Sequence, residues 1–259
     1  NLFFYVDILN TEPIIKSPKN GIKDTENKGT IEFENVSFTY PNGEEPVIKD
    51  VSFSGKKGEV IAFIGSTGSG KSTLINLIPR FYDVTKGSIK IDGVDVRDYD
   101  LKYLRKKIGF IPQKTLLFTG SIANNIKFGK KDAEYKEVED SAKIAQAYEF
   151  ISNKPNKFDE IITEGGSNVS GGQKQRLSIA RAIVRKPDIY IFDDSFSALD
   201  FKTDAILRKE LRSETKDAIV LIVAQRIGSI MDADKIIVLN EGEVVGIGTH
   251  KELIKNCHI

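Results

Sequence analysis

The sequence predicts an α/β fold: a β-rich opening leads into a β/α/β domain that carries a helical insert. Three observations carry this. From Ile31 to Gly65, short runs rich in β-branched and aromatic residues follow one another between Gly and Pro punctuation. Residues 115–186 are dominated by helical patterns. From Ile189 to Gly248, strand-like and helix-like segments alternate, the signature of βαβ units around a sheet.

In chain order, residues 2–9 (LFFYVDIL) are apolar and aromatic, and residues 10–30 turn polar around Pro13, Pro18, Gly21 and Gly29. Residues 1–30 therefore read as the end of an upstream element plus a linker, and 31–259 as the domain. IEFENVSFTY, PVIKDVSFS and EVIAFIG are strands separated by Pro41–Gly43 and by Gly55 and Gly58. A helix opens near Lys71 and runs to Ile78; GSIKIDG and then IGFIPQ (108–113) are further strands. The helical subdomain, about 115–186, holds SIANNIKFG, EYKEVEDSAKIAQAYEFI and GGQKQRLSIARAIVR. IYIFDD, AIVLIVAQ, KIIVLN and EVVGIG complete the strands, with FKTDAILRKELR a helix after the first.

A chain of 259 residues with 40% hydrophobic residues suits one domain with a sizeable core. The 38 basic and 37 acidic residues nearly cancel, so nothing points to nucleic acid as an electrostatic partner. The single cysteine, Cys257, rules out an intramolecular disulfide framework and suits a reducing compartment. The longest apolar runs, such as Ala218–Ala224, fall far short of the roughly 20 residues a membrane helix needs. The chain opens on Asn1 rather than Met and reads as an excerpt of a longer polypeptide.

Gly65-x-x-x-x-Gly70-Lys71-Ser72 follows an apolar strand and precedes a helix, the context of a phosphate-binding loop. Its glycines let the amides of residues 66–72 turn inward at a helix N-terminus, where an anion is favoured. Ser66, Thr67, Gly68, Ser69, Gly70, Lys71, Ser72 and Thr73 are thus the expected cradle for ATP. Lys71 supplies a charge near the β- and γ-phosphates, and the Ser72 hydroxyl a ligand for Mg²⁺. IYIFDD ends a buried strand in two carboxylates; Asp193 can reach the same Mg²⁺, since ligands gather at the carboxyl edge of such sheets. The third stretch, VSGGQKQR, puts Ser170, Gly171, Gly172 and Gln173 at the start of a helix. Read alone, it is a tight turn with Ser170 as N-cap, a geometry that still offers free amides and a helix dipole to an anion.

Taken together, GSTGSGKST, VSGGQKQR and IYIFDD make residues 31–255 resemble the nucleotide-binding domain of ATP-binding cassette (ABC) transporters of the exporter type. The resemblance implies a RecA-like P-loop NTPase core with a mixed sheet, joined by an antiparallel β-subdomain and a helical subdomain. It also implies that Tyr40 stacks on adenine, that Gln113 touches Mg²⁺ and senses the membrane domain, and that SALD (Ser197–Asp200) lies at a dimer seam. Ser170–Gln173 would face the nucleotide of a second ABC domain. LFFYVDILNTEP resembles the stretch that joins such a domain to the transmembrane domain of the same polypeptide, which would place the chain at the cytoplasmic face of a membrane. TEGG (Thr163–Gly166) matches the family's coupling loop only loosely.

Two positions depart from the family. Asp194 stands where glutamate usually serves as general base, one methylene shorter, and Gln225 stands where histidine is usual. Glutamine hydrogen-bonds but takes up no proton. With Gln113 they form the expected catalytic set, and both departures fall on the hydrolytic step. The expectation is a site that holds Mg-ATP and cleaves it slowly, with a sound signature offered to a different partner. The alternatives are an ATP-holding regulatory module and a slow homodimer. A soluble ABC ATPase of DNA repair or translation and an importer subunit fit the N-terminal segment less well.

Overall fold

The computed structural model describes residues 12–25, 29–225, 228 and 230–256; the apolar segment 2–9 and Cys257 lie outside them. The strands are β1 (Thr30–Phe38), β2 (Ile48–Lys56), β3 (Val60–Ile64), β4 (Lys86–Ile91), β5 (Val94–Asp95), β6 (Ile108–Ile111), β7 (Gly120–Ser121), β8 (Ile161–Ile162), β9 (Ile189–Asp193), β10 (Ile219–Val223), β11 (Lys235–Asn240) and β12 (Glu243–Gly248). The central sheet has six strands in the order β12-β11-β3-β10-β9-β6. All neighbours in it are parallel except β12, which pairs antiparallel with β11. A four-stranded antiparallel sheet, β2-β1-β4-β5, forms the β-subdomain.

Period-two alternation explains why the central sheet is sandwiched. Ile61, Phe63, Ile189, Ile191, Ile219, Leu221 and Val223 point to one face. There they pack with Leu74, Ile75, Leu77 and Ile78 of the helix Lys71–Leu77 and its C-cap, and with the inner face of the β-subdomain. Ala62, Tyr190, Phe192, Val220 and Ile222 point to the other face and share a core with the helical subdomain. Both faces are buried, so the strands read as continuous apolar runs, as parallel strands do.

The helical subdomain contains helices Ile122–Lys127, Tyr135–Ile144, Tyr148–Ser152 and Gly171–Ile183; the run expected as one helical stretch, EYKEVEDSAKIAQAYEFI, is broken in two where Gln146 takes a left-handed φ of 56°. It also holds a short antiparallel ribbon, β7 with β8, and two 3₁₀ turns at Lys157–Asp159 and Glu164–Gly166. A helix Leu101–Lys106, capped by Asp100, leads into β6. The helix Phe201–Glu214 is capped by Asp200, whose Oδ1 accepts from the Thr203 amide at 2.9 Å. No helix among the described residues is long and apolar enough to cross a membrane.

Register decides where the chemistry gathers. Val223 pairs with both Phe63 and Asp193, and Ile111 pairs with Phe192. The C-terminal ends of β3, β10, β9 and β6 therefore lie side by side, and the residues just beyond them share one edge.

Candidate functional site

Beyond β3 the chain turns through Gly65 to Gly70 into the helix Lys71–Leu77. Two glycines are required here. Gly65 has φ 151°, and a Cβ on it would lie 2.1 Å from the Leu239 carbonyl oxygen. Gly70, in the left-handed region at φ 96°, would bring a Cβ 2.7 Å from Ile48 Cδ1 and 3.0 Å from the Val47 carbonyl. The loop is braced from outside as well: the Gly242 amide, in the turn between β11 and β12, donates to the Ser69 carbonyl at 3.2 Å. Lys71, Ser72 and Thr73 occupy the first helical turn, where backbone N–H groups have no intrahelical acceptor and face outward.

A cleft of about 780 Å³ opens over this loop, lined by Val47, Ile64 to Gly68, Gly70 to Thr73, Gln113, Asp194 and Val223 to Gln225. Lys71 is nearly buried and folds back, its Nζ donating to the carbonyls of Gly65 (2.8 Å) and Ser66 (2.7 Å) and to Ser69 Oγ (3.2 Å). Burial lowers its pKa, and the charges of Asp194 and Asp193 oppose that shift. The ammonium thus has weak local acceptors that a phosphate oxygen can replace.

Ser72 Oγ donates to Asp193 Oδ1 at 2.9 Å. Desolvation raises the Asp193 pKa, Asp194 adds to the rise, and the Ser72 bond and Lys71 work against it. A hydroxyl and a carboxylate at contact distance are hard oxygen donors that fit Mg²⁺.

Asp194 is buried, in the left-handed conformation at φ 48°, which Asp tolerates better than most residues. Its turn is held by Asp194 N donating to Val223 O at 3.0 Å and Ser197 Oγ donating to Asp194 O at 2.8 Å. Gln113 and Gln225 converge on it. Gln113 Nε2 donates to Asp194 Oδ2 at 3.0 Å and Gln225 Nε2 donates to the same oxygen at 2.9 Å. One carboxylate oxygen is thereby occupied by two amides.

Tyr40 lies two residues beyond β1 and its hydroxyl meets Thr73 Oγ1 at 3.0 Å. Its ring is edge-on to Phe38 (centroids 4.8 Å) and to Tyr82 (5.2 Å), which fixes its plane beside the phosphate loop. Val47 on the cleft wall was not among the residues singled out from sequence; only its place before β2 brings it there.

The signature segment lies elsewhere. Ser170, Gly171, Gly172 and Gln173 do not line the cleft; they form the start of the helix Gly171–Ile183, with Ser170 and Gly171 exposed and Gly172 and Gln173 half-buried. Ser170 and Gln173 make a reciprocal capping box, Gln173 N donating to Ser170 Oγ (3.2 Å) and Ser170 N to Gln173 Oε1 (3.1 Å). SALD abuts this turn: a Cβ on Gly172 would come 3.2 Å from the Ala198 carbonyl. TEGG is tied to the same helix by Lys174 Nζ donating to Gly165 O at 2.8 Å. One chain thus carries a phosphate cleft and, apart from it, a second exposed helix N-terminus.

Residues 48–197 match the ABC transporter family. The chain belongs to that family. It is 47% identical over 227 residues, 88% of its length, to a multidrug export ATP-binding/permease protein of Staphylococcus aureus. It is 44% identical over 235 residues to the corresponding protein YgaD of Bacillus subtilis. It spans about two fifths of the length of these relatives. Among solved structures it resembles that of a bacterial Atm1-family ABC exporter with ATP bound, with TM-score 0.93 and 33% identity over 99% of this chain and 45% of that one. Family membership gives the nucleotide-binding fold and, in general terms, ATP as ligand and ATP hydrolysis as chemistry.

Proposed function

We propose that this ABC domain is the motor of a membrane exporter, joined through residues 1–30 to a transmembrane domain of the same polypeptide and working at the cytoplasmic face. Its own site holds Mg-ATP and hydrolyses it slowly, while its Ser170–Gln173 segment completes a competent site on a different partner domain. The multidrug-export names of its relatives support the transport reading. The observation that carries the impaired-site reading is the double amide contact on Asp194 Oδ2.

In this reading Ser66 to Thr73 cradle the triphosphate, Lys71 exchanges its carbonyl partners for the β- and γ-oxygens, and Tyr40 stacks on the base. Ser72 and Asp193 hold Mg²⁺, with Gln113 turning toward it; the ion, when bound, offsets the charge of the phosphates. Asp194 is left to orient the attacking water. A positioned base is worth roughly 10²–10⁴ in rate, and about 1 Å of misplacement costs around a hundredfold. A carboxylate one methylene short, with one oxygen engaged by two amides, lies on the unfavourable side of both figures. Gln225 adds a hydrogen bond but no charge.

The intact capping box and the SALD turn beside it favour one other reading, a slow homodimer in which two copies serve each other. The test is ATP binding and steady-state turnover at high protein concentration, native against Asp194→Glu with Gln225→His. The impaired-site reading expects tight Mg-ATP binding, turnover near background, and a rise of about tenfold or more in the double variant. Brisk native turnover that the two changes leave alone overturns it in favour of the homodimer.

A further inference from the structure

Asp92 directly follows β4 in the left-handed conformation at φ 53°, and its side chain is almost fully buried. It gathers the incoming chain. The amides of Gly29 and Thr30 donate to its Oδ1 at 2.5 and 3.2 Å, Thr25 Oγ1 donates to its Oδ2 at 3.0 Å, and its own amide donates to the Thr30 carbonyl at 3.0 Å. The stretch before it is laid on the same surface. Arg80, just beyond the P-loop helix, donates to the Lys16 carbonyl, the Leu101 amide donates to Ser17 Oγ, and Ile22 bridges to Tyr99.

Opposite Asp92 lies Lys107, also buried, whose Nζ is 2.9 Å from Asp92 Oδ2 and 2.6 Å from Asp188 Oδ2. Asp188 immediately precedes β9, and the Ile189 amide donates to the Lys107 carbonyl at 3.0 Å, so Lys107 grips the foot of β9 by side chain and backbone together. β9 is hydrogen-bonded on both edges, to β10 and β6, and ends about 17 Å away in Asp193.

A buried lysine between two carboxylates is costly to take from water unless all three are satisfied, and removing one member leaves an uncompensated charge. None of Asp92, Lys107 and Asp188 lies among the nucleotide-facing residues. Their arrangement ties Thr25, Gly29 and Thr30, through Asp92 and Lys107, to the foot of the strand that leads to Asp193 and Asp194.

We propose that Asp92, Lys107 and Asp188 form a charge lock that holds the incoming chain, at Thr25, Gly29 and Thr30, to the foot of β9, so that docking of this segment and the state of the nucleotide site are linked. That the segment leads to a membrane domain rests on the function proposed above; the lock itself does not. Asp92 and Lys107 act as positioning residues, through β9, on the carboxylate end.

Hydrogen exchange on the 259-residue chain, with Mg-ATP as probe and its binding read separately by calorimetry, tests this. Lys107→Met should speed exchange at Gly29 and Thr30 by about tenfold while the amides of β3 keep native rates. Should that variant fail to fold, Thr25→Val, which touches only the segment's side of the lock, should speed the same two amides by roughly threefold. Asp188 is partly exposed, and Asp188→Asn leaves the Asp92–Lys107 pair in place. It should keep both amides protected without nucleotide yet abolish the slowing that Mg-ATP produces there in the native chain. Unchanged exchange at Gly29 and Thr30 in Lys107→Met, or in Thr25→Val where that is the variant measured, overturns the lock. A nucleotide response that survives Asp188→Asn, or is missing from a native chain that binds Mg-ATP, overturns the linkage. A native chain that fails to bind Mg-ATP overturns the functional reading, and the first arm still decides the lock.

Discussion

Ser170 separates the cap that it makes in the structure from the contact proposed for it across a pair of domains. Its Oγ accepts the Gln173 amide at 3.2 Å, so Ser170→Ala strips one of the two bonds of the capping box while Gln173 still reaches back to the Ser170 amide. Loss of such a cap costs about 1 kcal/mol. With an unfolding entropy near 2.1 cal/mol/K per residue, that is a fall of about 2 °C in Tm for a domain of this size. Ser170→Gly sacrifices only a few tenths of a kcal/mol and should melt close to the native temperature. Because Ser170 does not line the cleft, both variants of the isolated chain should bind ATP with native affinity by calorimetry. In the assembled pair of domains, where Ser170 would face a partner's γ-phosphate, a hydrogen bond to a charged group is worth about 1.5–3 kcal/mol. Both variants should then lower the partner site's turnover by roughly ten- to a hundredfold, the glycine variant as much as the alanine one. The reasoning fails if Ser170→Ala weakens ATP binding by the lone chain as strongly as Lys71→Met does. It fails equally if Ser170→Gly restores native turnover, since the residue would then be a cap and nothing more.

Asp193 gives a pH prediction with opposite signs for two observables. Its folded-state pKa is raised, chiefly by desolvation, so its contribution to nucleotide-free stability is present at low pH and lost as pH rises through that pKa. In its proposed role as a Mg²⁺ ligand the dependence runs the other way, affinity failing as pH falls through a value above the usual carboxylate range; the difference between native and Asp193→Asn, by melting and by Mg²⁺-dependent ATP binding, isolates both. Gly65→Ala should abolish ATP binding, because its Cβ would fall 2.1 Å from the Leu239 carbonyl oxygen, and a native-like affinity by calorimetry would show the loop to be far softer than its contacts indicate. Tyr40→Leu should cost about 1–3 kcal/mol of ATP affinity, the worth of one base stack, while leaving binding of inorganic triphosphate unchanged; equal losses for both ligands would mean that the hydroxyl contact with Thr73, not the ring, is what matters.

The main architecture was legible in the sequence because the parallel strands announce themselves as apolar runs and the phosphate loop as a spacing of glycines. The convergence of Gln113 and Gln225 on Asp194 was not. Those partners are 81 and 31 residues from Asp194 along the chain, and only the β10-β9-β6 strand order sets them on one edge. The lock at Asp92 was equally hidden, since Lys107 stands in the run LRKK, where nothing distinguishes a buried lysine from its solvated neighbours. The 12–25 segment read as a polar linker because its hydrogen bonds run to scattered backbone and side-chain groups of other elements, which leave no trace in composition. The ribbon β7–β8 is two residues per strand, too short for any period to register.

The turn between β11 and β12, Asn240 to Glu243, looks by composition like a permissive surface hairpin, the kind of place where an epitope tag or a fused domain is ordinarily inserted. Its Gly242 nevertheless donates to Ser69, accepts from the Lys49 amide at 2.9 Å, and would meet the Val47 carbonyl at 2.3 Å if it bore a Cβ. A hairpin more than 170 residues downstream is thus a wall of the phosphate loop's mould. Length variation tolerated at other tips of this domain should be purged here, and anyone grafting a reporter onto the chain should expect a folded product that has lost its nucleotide.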